Sequence, residues 1–118
     1  MEQNFKRYDV ILVDFGEEAF ESEQAGIRPA IIIQNDIGNF FSKSTIVMPT
    51  TKIIKNSNQP THTLIKKERG NGLTCDSMVL GECMRQISEK RIIKYLGTIS
   101  NHRDRKEIRR VYEANFGE

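Results

Sequence analysis

Three short stretches of this 118-residue sequence set a chemically capable side chain at the edge of an apolar run. Arg28 precedes Pro29 and the run at 30–33. Thr50 and Thr51 end the run that begins near Ser44. Glu82 and Arg85 follow Met78, Val79 and Leu80. A guanidinium is a planar fork that matches two phosphate oxygens and stays charged at any working pH. A threonine hydroxyl adds one more donor. An arginine, a hydroxyl and some loop amides together form a phosphate-binding constellation. Such a site suits cleavage of RNA, because the ribose 2′-OH supplies the nucleophile. The protein need only align the groups and stabilise the added negative charge, without a metal. Taken singly, these residues say little. An arginine before proline is more often solvated or salt-bridged, and threonines are common in strands for propensity reasons. It is the pairing of Arg28 with a threonine of the next strand that defines a candidate site.

Other chemistries lack their signatures. The sequence has no G-x-S-x-G elbow, no P-loop and no G-x-G-x-x-G. His62 and His102 are scattered, and Cys75 and Cys83 form no C-x-x-C pair, which argues against zinc. No cofactor and no metal are expected. The cysteines read as small half-buried side chains without a disulfide. A net charge of +2 is below what a strong duplex-DNA binder uses, although basic groups clustered in one groove still bind nucleic acid. No apolar stretch is long enough to cross a membrane. The polar segment 1–7 has no signal-peptide core, so the expectation is a cytoplasmic chain. The length suggests one domain over 1–118, able to bury a core without staples.

The elements that must position these residues follow from pattern. Strands are expected over 8–15, 28–34, 44–50, 61–66 and 76–85. Pro29 belongs at a strand's beginning or on an edge, Pro49 suggests an end or a bulge, and Gly81 a bulge or close backbone approach. Residues 16–27 form a long acidic connection with Glu17, Glu18, Glu21 and Glu23. Residues 35–43 read as a turn with a short helical piece, and 52–60 as a basic, polar loop. Ser88 could cap a helix over 89–96, stopped by Gly97. Ser100 or Asn101 could cap a second helix to about residue 115, with Ile108, Val111, Tyr112 and Phe116 as its apolar stripe. Its other face carries Arg103, Arg105, Lys106, Arg109 and Arg110, balanced by Asp104 and Glu107, and reads as a solvated face. Strands followed by helices suggest a small antiparallel barrel or sheet with helices packed at one end.

Motifs in order along the chain then resemble one family. They are Ser22-Glu23-Gln24 with Gly26-x-Arg28-Pro29, Gln34-Asn35-Asp36-x-Gly38-Asn39, Pro49-Thr50-Thr51 and Pro60-Thr61-His62. Gly72-Leu73 with Asp76-Ser77, Glu82-x-x-Arg85-x-Ile87 and Leu96-Gly97-Thr98-Ile99-Ser100 continue the match. Together they resemble the MazF/PemK (Kid) toxin endoribonucleases. The resemblance implies a small SH3-like β-barrel of the PemK/CcdB type, mainly β, with short helices and a C-terminal helix. It implies a homodimer that cleaves single-stranded RNA sequence-selectively without a metal, leaving a 2′,3′-cyclic phosphate and a 5′-OH. A cognate MazE-like antitoxin would cover the RNA groove with a flexible acidic tail. Residue by residue, Arg28 and Thr51 match the catalytic arginine and threonine. Ser22, Glu23 and Gln24 match a loop that contacts RNA bases, with Asn39, Phe41 and Arg85 as further RNA-binding candidates. His62 matches a family position and reads as structural at a strand end. Tyr8 departs from the usual glycine, residues 17–20 are an unusual approach to the loop, and Gly81 and Cys83 replace the usual Leu and Gln. The alternative is a non-catalytic toxin on the same fold that acts by binding a protein, as gyrase poisons do. A DNA-autoregulatory partner is a third reading.

Overall fold

The computed structural model describes residues 5–17 and 25–117. Within them lie strands β1 (Asp9–Asp14), β2 (Ile27–Ile32), β3 (Ser44–Thr51), β4 (His62–Ile65), β5 (Ser77–Leu80), β6 (Arg85–Ser88) and β7 (Ile92–Thr98). Helix α1 spans Asp36–Phe41 and α2 spans His102–Phe116. All pairings are antiparallel, in the order β4-β5-β3-β2-β1-β7, with β6 added to β3. β3 is the spine. One edge meets β2 at residues 47–49, while the other meets β6 at 44–47 and then β5 at 50–51. A single 3-10 turn joins β6 to β7, which pairs with β1. The chain on one edge of the sheet thus returns to the other, and the sheet curls into an SH3-like barrel.

Alternation along the strands fills both sides of that sheet. Ile11, Val13 and Phe15 of the β1 segment, Ala30 and Ile32 of β2, Val47 of β3 and Ile87 of β6 form the inner cluster. Val10, Ile31 and Met48 point the other way. There they meet Ile65, Val79, Ile99 and, from α2, Ile108 and Val111. Burial on both faces explains why the expected strands read as continuous apolar runs. The structure bears out the β2 run in particular, since Ala30, Ile31 and Ile32 are wholly buried.

Two expectations fail. Residues 89–96 are not a helix. Ser88 does cap a turn, accepting from the Lys90 amide at 3.2 Å, but the turn ends at Arg91 and the chain runs on as β7. Ile92 and Ile93 are β-branched, and the open edge of β1 supplies ladder partners that one helical turn cannot match. The strand expected over 76–85 is also broken. It stops at Leu80, passes through a 3-10 turn, Gly81–Cys83, and resumes as β6 against a different part of β3. Gly81 marks the break, and the close backbone approach expected there is found: a Cβ would lie 2.7 Å from the Thr61 carbonyl oxygen and closer still to the Val111 side chain. Pro49 likewise lies inside β3, near where its outer edge passes from β6 to β5.

Helix α2 begins where expected. The Asn101 side chain accepts from the Arg103 and Asp104 amides at 2.8 and 3.3 Å. Its stripe is narrower than the sequence suggested, because Tyr112 and Phe116 are 44% and 77% exposed. Two of its arginines serve the fold. Arg105 lies 4.5 Å over the Tyr8 ring and donates to the Ile99 carbonyl at 2.6 Å. Arg110 donates to the carbonyls of Pro60 and His62 at 2.9 and 3.1 Å. Its hydrogen bond also holds the Glu107 carboxyl below the usual range. Burial pushes the Asp104 carboxyl up, helped by Glu68 and opposed by Arg103. No described helix is long and apolar enough to cross a membrane.

Candidate active site at the barrel mouth

Strand parity decides which way each candidate faces. Arg28 shares its face of β2 with the inner residues Ala30 and Ile32, and it pairs with inner Val13. It stands one step beyond them, at the end of the barrel, and is half-buried. Its Nε donates to the Ala25 carbonyl at 3.1 Å and its Nη1 to the Thr50 carbonyl at 3.4 Å. Both contacts orient the guanidinium.

β2 and β3 pair as Ala30 with Pro49, Ile31 with Met48 and Ile32 with Val47. Carried two residues further, that register sets Arg28 opposite Thr51. The strands stay together past the ladder, because the Thr50 hydroxyl donates to the Pro29 carbonyl at 2.9 Å. Opposed residues of an antiparallel pair have Cβ atoms about 5 Å apart on the same face. The arginine and the threonine therefore sit side by side at the mouth. The Thr51 hydroxyl oxygen accepts from the Ile53 amide at 3.2 Å, which fixes one of its lone pairs.

Arg85 joins the same end. It pairs with inner Val47, and its guanidinium lies 5.6 Å over the ring of buried Phe15. Arg91 is also there, donating to the Asp14 carbonyl at 3.2 Å. Sequence reasoning missed Arg91 by placing it in a helix; the available signal was the β-branched pair Ile92-Ile93 just after it. Lys52 and Lys55 lie in the exposed loop that follows Thr51. Among the described residues, Arg28, Arg85 and Arg91 thus lie toward the end of the barrel that carries Thr51, an arrangement that can bind a phosphodiester and offset charge developing on it.

Asn39 and Phe41 are not brought to this mouth. They belong to α1, which follows the far end of β2, beyond Ile32 and roughly 13 Å along the strand from Arg28. Asn39 braces its own turn. Its Oδ1 accepts from Thr45 at 2.7 Å and Gln34 at 3.0 Å, using both lone pairs, and its amide donates to the Gln34 carbonyl. Phe41 is 80% exposed and stacks edge-on with Phe40. Ser22, Glu23 and Gln24 lie outside the described residues. On either side of them, the Gly26 amide donates to the Gly16 carbonyl at 2.6 Å and the Phe15 amide to the Gly26 carbonyl at 2.9 Å. His62 is buried and bonded at both ring nitrogens, to Glu82 Oε2 at 2.6 Å and the Asn56 carbonyl at 3.0 Å.

Comparison with known proteins gives a consistent result. A family model described as PemK-like, MazF-like toxin of type II toxin-antitoxin system matches residues 6–113. The endoribonuclease EndoA of Bacillus subtilis is 38% identical over 109 residues, covering 92% of this chain and 89% of that protein. The endoribonuclease MazF of Staphylococcus saprophyticus is 37% identical over 112 residues, covering 95% and 91%. Among solved structures, a mycobacterial endoribonuclease in complex with its cognate antitoxin superposes with a TM-score of 0.76 at 18% identity, over 95% of this chain and 94% of that one. MazF of Deinococcus radiodurans gives 0.74 at 18% identity, over 93% and 94%. At that identity the structural likeness speaks for the fold.

Proposed function

This chain belongs to the PemK-like, MazF-like toxin family, and from that premise we propose that it is a metal-independent endoribonuclease that cuts single-stranded RNA. The observation that carries the reading is the β2–β3 register, which, carried two residues past Ala30 and Pro49, sets inward-facing Arg28 opposite Thr51. The ribose 2′-oxygen attacks the adjacent phosphorus and the bond to the 5′-oxygen breaks, leaving a 2′,3′-cyclic phosphate and a 5′-OH. Arg28 neutralises charge on the phosphate oxygens as it grows, and the Thr51 hydroxyl donates to one of them. Arg28 is no general base, because a guanidinium does not give up its proton in a protein. Arg85 holds the RNA backbone, and Ser22, Glu23 and Gln24 read bases. Asn39 and Phe41 could touch only RNA that extends around to the far end of the barrel.

The same reading makes residues 1–118 one toxin domain that works in the cytoplasm as a homodimer under the control of a MazE-like antitoxin. The exposed apolar residues Ile27, Ile93 and Tyr95, each about half exposed or more, support a protein contact on the barrel surface. The test is incubation of the purified protein with a long single-stranded RNA in EDTA. Discrete cuts bearing 5′-OH ends are expected, lost in Arg28→Ala and in Thr51→Ala while both variants stay folded. Intact RNA with the parent protein, or parental cutting by either variant, would overturn the assignment. Intact RNA would favour a toxin that acts by binding another protein.

A further inference from the structure

The loop between β3 and β4 is exposed at every residue from 52 to 60, so packing does not hold it. Polar bonds do. At its apex Asn56 has a left-handed backbone, φ 51°, and its carbonyl accepts from the Gln59 amide at 2.9 Å and from His62 Nδ1 at 3.0 Å. His62 is 5% exposed and lies at the start of β4. Its other nitrogen meets Glu82 Oε2 at 2.6 Å, and its own carbonyl, with that of Pro60, accepts from Arg110 of α2. The Gly81 amide donates to the Thr61 carbonyl at 2.8 Å, tying the same segment to the turn that carries Glu82.

A carbonyl oxygen only accepts, so the bond to Asn56 assigns the Nδ1 hydrogen of His62 to that bond. Nε2 lies 2.6 Å from the Glu82 carboxyl oxygen. His62 is thereby locked in one ring orientation and aimed at the loop apex. At the loop's other end, the Ile53 amide grips the Thr51 hydroxyl oxygen. Two sets of bonds thus hold the loop, Glu82–His62–Asn56 at the apex and Ile53–Thr51 at its start, joined by the backbone of residues 54 and 55.

We infer that His62 is a positioning residue for RNA cleavage: held by Glu82, it fixes the 52–60 loop at Asn56 and so aims the Thr51 hydroxyl. This rests on the reading of Thr51 given above. His62 touches no substrate; it acts through the loop. The bond that matters is the one from Nδ1 to Asn56, and two substitutions separate it from the other. The amide nitrogen of Asn reaches roughly where Nδ1 sits, whereas that of Gln reaches roughly where Nε2 sits.

The experiment measures kcat and KM on a short RNA oligonucleotide for the parent, His62→Asn, His62→Gln, Thr51→Val and the double variant His62→Gln/Thr51→Val, with a thermal melt of each. His62→Gln is expected to lose roughly 10- to 100-fold in kcat, as misplaced catalytic groups do. His62→Asn should stay within about threefold of the parent. In the Thr51→Val background, His62→Gln should cost nothing further, because the group it aims is gone. A general packing role would instead make the losses follow the melting temperatures and persist in that background, which would overturn the inference. Parental kcat in His62→Gln beside a crippled Thr51→Val would also overturn it and leave the nuclease assignment standing. Parental kcat in Thr51→Val would remove both.

Discussion

Replacing Arg28 by lysine keeps the charge and removes the fork. In the native site two N–H groups of the guanidinium are committed to backbone carbonyls, Nε to Ala25 and Nη1 to Thr50. These bonds hold the guanidinium against the backbone at Ala25 and at Thr50, next to Thr51. A lysine ammonium at the end of a flexible stem has no such second anchor, and it can bond those carbonyls or a phosphate but is not aligned to both. Loss of one preorganised donor at developing charge costs about 10²–10³ in kcat, or about 2.7–4 kcal/mol. The ground-state attraction for the RNA backbone survives, since the charge is kept. Arg28→Lys should therefore fall about a hundredfold in kcat with KM changed by less than about threefold. A fluorogenic RNA oligonucleotide cut under steady-state conditions reads both constants, and a thermal melt confirms the fold. If Arg28→Lys keeps more than about a tenth of the parental kcat, a point charge suffices and the argument from the oriented fork is wrong.

Thr51→Val is close to isosteric and removes the hydroxyl, so kcat should drop about a hundredfold, while Thr51→Ser restores most of it; equal rates for Val and Thr would refute a role for the hydroxyl. Gly97→Ala should lower the melting temperature by about 6–15 °C, from an overpacking cost of about 2–3 kcal/mol. The new Cβ would lie 2.5 to 2.6 Å from backbone atoms of Gly70, Asn71 and Gly72, which cannot rotate away. A shift under about 2 °C would show that the crossing loop moves freely. For Asp104 the folded-state carboxyl titrates above its unfolded value, with burial the chief cause. The folded state therefore holds the proton more tightly, and stability declines as pH rises from the ordinary carboxylate range through the raised one. Asp104→Asn should gain stability relative to the parent across that window in denaturant titrations; a difference that does not change with pH would contradict the burial argument.

How far the sequence could be read depended on how local each cause was. β2 and α2 were legible because their signals are internal: a β-branched run behind Arg-Pro, and Asn101 ahead of a helical stripe. Residues 89–96 were misread because Ser88 and Gly97 are sound helix signals, and only the open edge of β1, distant in sequence, makes the segment a strand. Gly97 is needed not as a helix stop but because loop 70–72 crosses over it. Tyr8 stood out as a departure from glycine, and its φ of 77° shows why glycine suits the position. Here the Tyr8 ring lies under the Arg105 guanidinium. The pairing of Arg28 with Thr51 was legible through motif order. The exclusion of Asn39 and Phe41 from the mouth was not, because their closeness to β2 in sequence puts them at its far end in space.

The site also divides by what holds each part. Arg28, Thr51 and Arg85 sit on strands whose inner residues Ala30, Val47 and Ile87 are at most 2% exposed. A slip of one residue in β2 or β3 would turn the whole inner set outward, so burial of that set enforces the register, and the register alone sets Arg28 beside Thr51. The loop at 52–60 is fully exposed, and its course can change without disturbing the barrel. On the proposed reading, the groups that act on the phosphate need fixed geometry and are carried by the strands. Groups that choose among bases can vary, and loops provide that freedom. The His62 path from Glu82 to the loop apex is where the two regimes meet: a buried side chain that extends the order of the barrel into a segment that packing leaves free.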